Sequence, residues 1–137
     1  MIEPVVINRA SAVFALDQAL VLIDPVGPQD QYRRFGRPDI VVLTRVHPSH
    51  LSIDTMIGLL RRDTVVLAPQ AVIDQLPLMI SNNVITPFEA GMVQEVLGIT
   101  FRALPTSATT PSGVDVYQRD RGDIGVLMEV EGAQIYF

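Results

Sequence analysis

The 137 residues contain no cysteine, no lysine and no tryptophan. Without thiols there are no disulfides, thiolate nucleophiles, iron–sulfur clusters or cysteine-ligated zinc. Without lysine there is no Schiff-base chemistry, and all ten positive charges are arginine. Histidine is scarce: His47 and His50 are the only two, so any metal centre would be poor in imidazole. Positive charge is in the minority, with 10 basic against 15 acidic residues and a net charge of −5. A pI near 4.8 argues against a nucleic-acid surface. No apolar run reaches the roughly 18 residues of a membrane span. No basic region precedes an apolar core around Glu3, so no secretory signal is read and a cytoplasmic location is expected. A glycine-rich phosphate loop is also missing.

What is present is ordinary globular material. Hydrophobic residues make up 48% and charged residues 18%, enough apolar side chain for one domain with a real core. Short strands are expected at Val5–Ile7, Ala12–Leu16 and Ala19–Ile23, the last two joined by a tight turn at Asp17-Gln18. Asp24-Pro25 ends that run, because proline cannot continue a ladder. Val26–Pro38 reads as loop, with a helical turn at Asp30–Arg34. Ile40–Thr44 and Thr64–Ala68 read as buried strands. Between them Ser52 caps a helix that Arg61 and Arg62 close. Pro69 opens a short helix through about Leu76. The second half reads as strands at Val84–Thr86, Val93–Val96, Ile99–Leu104 and Val114–Tyr117, and as a hairpin of Ile124–Val130 with Ala133–Phe137. Thr106–Gly113, rich in hydroxyls and proline, reads as an exposed loop. Strands, then strand–helix pairs, then strands again give a mixed α/β layer fold.

The informative constellation is the loop Arg45-Val46-His47-Pro48-Ser49-His50. It follows a buried strand and runs into a helix, the place where open α/β sheets put their sites. His47 and His50, three apart, could share one metal or face two adjacent ones. The plainer reading is that both bond the loop itself, since zinc needs three or four protein ligands. Elsewhere the plain readings are a turn at Asp24, a solvated basic loop at Arg33, Arg34 and Arg37, and a solvated turn at Asp120, Arg121 and Asp123.

The stretch from Asp39 to Leu51 resembles the signature of the metallo-β-lactamase superfamily: an apolar strand, threonine, then HxHxDH and leucine. Ser11–Pro25, ending in Leu22-Ile23-Asp24-Pro25, is similar to the second hairpin of the branch that includes L-ascorbate-6-phosphate lactonase-like hydrolases. Thr64–Pro69 looks like the strand that follows. Gly98–Pro105 resembles the strand carrying a further metal-binding histidine. Gly125–Phe137 resembles the hairpin leading to the metal-bridging aspartate. The resemblance implies an α/β fold, a metallo-β-lactamase-like β-sandwich flanked by helices. It also implies that residues 1–137 are one partial domain, the first part of a family domain.

Carried over position by position, the ligand set is broken. Arg45 stands at the first histidine, His47 at the second, Ser49 at the aspartate and His50 at the third histidine. The later histidine falls near Ser107, and Asp24 is the residue that supports the site from behind the ligands. The bridging aspartate and last histidine would fall beyond Phe137. Arginine keeps its proton and ligates nothing. Serine removes a carboxylate that helps hold metal and orient water. No cofactor is therefore expected, or zinc if His47 and His50 still bind it.

Three readings stay open. One is a catalytically inactive binding or interaction module. Another is a fragment or divergent member of a metal-dependent hydrolase acting on a lactone, ester or phosphoester. The third is a small hydrolase using His47, His50 and Asp24. A half sandwich would expose the inner face of its sheet, so a homodimer through that face is expected. An ion pair between Arg45 and Asp24 is expected as the remnant of the metal site.

Overall fold

The computed structural model describes residues 4–7, 11–47, 50–77, 84–105, 107–109, 115–117 and 123–137. Three strands open the chain: β1 (Val5–Val6), β2 (Ala12–Ala15) and β3 (Leu20–Ile23), paired antiparallel. Strand–helix alternation follows, with α1 (Asp30–Arg33), β4 (Ile40–Val42), α2 (Ile53–Leu59), β5 (Val65–Ala68), α3 (Gln70–Ile73) and β6 (Val84–Pro87). β3, β4, β5 and β6 run parallel, completing a six-stranded sheet in sequential order.

The apolar runs of β3, β4 and β5 are continuous because both faces of this sheet are covered. One cross-strand row, Val13, Leu22, Val41 and Val66, packs on the helical layer of Tyr32, Met56, Leu59 and Val72. The opposite face, with Phe14, Val21, Ile23, Ile40, Val42 and Leu67, meets a second sheet. That sheet is antiparallel, ordered β12-β11-β8-β7. Its strands are β7 (Val93–Val96), β8 (Ile99–Pro105), β11 (Ile124–Val130) and β12 (Ala133–Tyr136). Alternate residues of β8 and β11 turn inward: Ile99, Phe101, Ala103, Ile124, Val126, Met128 and Val130. The architecture is therefore helices on sheet on sheet, a mixed α/β sandwich.

Several expectations change. The inner face of the first sheet is not exposed, because the four-stranded sheet covers it. The span 106–113, read as loop, contains strand β9 (Ser107–Thr109), paired with β10 (Asp115–Tyr117). Hydroxyl-rich composition signals polarity, and a polar segment can still pair its backbone. α2 ends at Leu59, with Leu60 already extended (φ −68°, ψ 136°), so Arg61 and Arg62 lie beyond it. Arg33 and Arg37 instead reach the α2 terminus, donating to the carbonyls of Gly58 (3.5 Å) and Leu60 (3.4 Å). Arg34 stacks on Phe35, 4.7 Å from its ring centre. The three arginines thus serve separate partners. Among the described residues, no helix is long and apolar enough to cross a membrane.

Candidate functional site

The site lies where β3 and β4 end side by side and β11 begins. Asp24 follows β3 and donates its backbone N–H to Val42 O at 2.9 Å. Its φ of 43° is left-handed, a conformation aspartate tolerates better than most residues. The Ser11 hydroxyl donates to the Asp24 carbonyl at 2.5 Å. These bonds turn the Asp24 carboxyl toward Thr44. Asp24 Oδ1 accepts from Thr44 N–H at 2.8 Å, and Oδ2 lies 2.5 Å from the Thr44 hydroxyl. Both residues are buried, with 2% and 3% exposure. Burial pushes the Asp24 carboxyl up to about 7, against the pull of the two Thr44 hydrogen bonds and of the more distant Arg45.

The half-buried Arg45 comes next. Its Nε donates to the Thr44 hydroxyl oxygen at 3.4 Å. Among the described residues no carboxylate forms an ion pair with it. The expected Arg45–Asp24 ion pair is thus replaced by a chain through Thr44, because Thr44 already engages both oxygens of Asp24. His47 O accepts from the N–H of both His50 and Leu51 at 2.8 Å, which holds the two histidines near each other. The two rings stand 6.2 Å apart, edge to face at 79°. Ser52 caps α2 by accepting from Thr55 N–H at 3.3 Å, which fixes the end of this loop.

The second sheet closes the site from the other side. Ile124 N–H donates to Thr44 O at 3.0 Å, tying the start of β11 to the end of β4. Asp123, one residue earlier, comes close enough to favour the charged form of His50. Burial, Arg45 and His47 outweigh it, and the His50 pKa is lowered. Sequence reasoning placed Asp123 in a solvated turn and assigned Thr44 no role. For Asp123 no local signal exists, since its place depends on a pairing between distant strands. Thr44 carried one: a hydroxyl at the end of a buried apolar strand must find a partner.

Structure therefore gathers Asp24, Arg45, His47 and His50 at one strand end. Ser49 lies outside the described residues. Ser107 begins β9, on a separate two-stranded sheet. Catalytic zinc takes three protein ligands plus water. Among the described residues, no three of the His, Asp and Glu side chains converge as such a group. Two imidazoles are present, the Asp24 carboxyl is consumed by Thr44, and a permanent cation stands alongside. This donor set does not fit a hydrolytic metal centre.

No protein-family profile matches the sequence, and no curated protein matches it. Solved structures do match. A protein from Parabacteroides distasonis described as a metal-dependent hydrolase superposes with a TM-score of 0.79 at 21% identity, over 98% of this chain and 59% of its own. Igni18, a metallo hydrolase from Ignicoccus hospitalis, gives 0.69 at 14% identity, over 98% and 59%. The metallo-β-lactamase fold protein YhfI from Bacillus subtilis gives 0.64 at 16%, over 96% and 55%. The chain has the metallo-β-lactamase fold and spans less than two thirds of the length of each of these proteins.

Proposed function

We propose that this chain is a binding or interaction module on a metallo-hydrolase scaffold, and that it does not carry out metal-hydroxide hydrolysis. One observation carries the reading: Arg45 stands beside His47, His50 and the Asp24–Thr44 pair, at the strand end where the fold's ligand signature begins. A guanidinium offers no lone pair and repels a dication. Asp24 does not compensate, since its carboxyl faces Thr44 and burial favours its proton. The likeness to hydrolases does not decide the matter, because a fold hosts many functions. A cytoplasmic site of action belongs to the same proposal.

A second reading draws on the 59% coverage of the two hydrolase structures. On it, this chain is part or a divergent member of a metal-dependent hydrolase of lactones, esters or phosphoesters, with further ligands supplied elsewhere. Positions 45 and 49 would lack donors even then. The two readings separate on ligand repair. Isothermal titration with zinc should show weak binding by the native chain and at least about tenfold tighter binding by Arg45→His/Ser49→Asp. A native chain that binds zinc as tightly as the repaired one overturns the module reading.

A further inference from the structure

We propose that Arg45, His47 and His50 form a binding site for a small oxyanion, with the arginine supplying permanently the positive charge that a metal-dependent hydrolase takes from its ion. This inference rests on the metal-free reading above and goes beyond it by naming a ligand class.

Arg45 is half buried, and its Nε is anchored on Thr44. Among the described residues its terminal nitrogens have no carboxylate partner. Among the described residues, the arginines that carry ion pairs are Arg61 and Arg102, which face Asp39, Asp63 and Glu129. Arg45 differs from them in kind, because the carboxyl nearest along its hydrogen-bond chain, Asp24, is turned to Thr44. Within five residues of Arg45 along the chain lie both imidazoles of the protein, their rings 6.2 Å apart. A half-buried guanidinium with no carboxylate partner is stabilised by an anion. The chain as a whole carries −5, so the attraction is local to this strand end.

The donor types define the ligand. A planar guanidinium matches two oxygens on one centre, as in carboxylate or phosphate. The neighbouring imidazoles, which have contacts of their own within the fold, report on an anion held there. The shared chemistry is an oxyanion, and the probes separate its two sources.

The test uses the metal-stripped full chain and inorganic phosphate, acetate and chloride as probes at matched ionic strength. With only two histidines in the chain, the imidazole NMR signals report the site without ambiguity. Phosphate is expected to shift both signals saturably, with a Kd of about 1 mM or tighter. Arg45→Gln should weaken binding at least about tenfold, and Arg62→Ala, an exposed arginine outside the site, should leave it unchanged. Saturation by acetate in place of phosphate also supports the proposal and assigns the ligand as a carboxylate. Equal shifts with chloride, no saturable shift with either oxyanion, or unchanged affinity in Arg45→Gln overturns it. Circular dichroism checks the fold of Arg45→Gln; should it be lost, Arg45→Lys, which keeps charge without the fork, must still weaken binding. Stoichiometric metal in the chain before stripping counts against the metal-free reading instead, so the two failures are distinguishable.

Discussion

Asp24 is a carboxyl that the native state holds close to neutral. Its pKa rises from 3.8 to about 7, chiefly because burial disfavours the charge. The folded chain therefore binds a proton that the unfolded chain releases near pH 4. Stability should fall as pH rises from about 4 to about 7, and level off above that. His50 works in the opposite direction, since its folded pKa is lowered, so a variant is needed to isolate Asp24. Asp24→Asn keeps an acceptor for Thr44 N–H and removes the titration. Urea midpoints at about pH 5 and pH 8 should show the native chain losing stability relative to Asp24→Asn on going to the higher pH. Parallel slopes for the two proteins would contradict the burial argument. Tyr32 makes a second residue-scale case. It is fully buried, and its hydroxyl donates to Val26 O at 2.5 Å and accepts from Val26 N–H at 2.9 Å. Tyr32→Phe should cost about 1–3 kcal/mol in chemical denaturation without changing the fold.

At the scale of elements, α2 shows how the site loop is held. The helix is only seven residues, too short to stand on propensity, so its ends matter. Ser52 caps the N-terminus, and its hydroxyl also bonds Thr55 Oγ1 at 2.8 Å. Ser52→Ala should cost about 1 kcal/mol and broaden the His50 imidazole signal, because the cap adjoins the histidine turn. The same helix marks what a sequence makes legible. Ser52 was readable from its place before Ile53, Met56 and Leu60, and so were the buried strands, because cap chemistry and apolar runs are local signals. The helix end was misread, because arginines near a C-terminus are common and Leu60 carries no breaker. Its true partners, Arg33 and Arg37, come from more than twenty residues away. β9 was misread for a related reason: its partner β10 is a neighbour that composition alone does not reveal. Of the site, the loop after the buried strand was legible, because an apolar run that meets polar residues is a local signal. Asp123 and the Thr44 bridge were not, since both depend on how β3, β4 and β11 meet.

For the whole molecule, the two sheets are joined by a core in which Phe14, Phe88 and Phe101 are almost wholly buried. This core makes the chain a sandwich and sets Asp123 against the β4 loop. Phe101→Ala should cost about 3–5 kcal/mol, read as a lowered urea midpoint. The fold is the metallo-β-lactamase fold, while the strand-end chemistry is a cation, two imidazoles and a buried carboxyl. If this scaffold holds no metal ion, mass spectrometry on untagged chain beside His47→Ala/His50→Ala should find folded protein with far less than one metal per chain, at the same level in both. Near-stoichiometric zinc, manganese or iron that disappears in the double variant would contradict it.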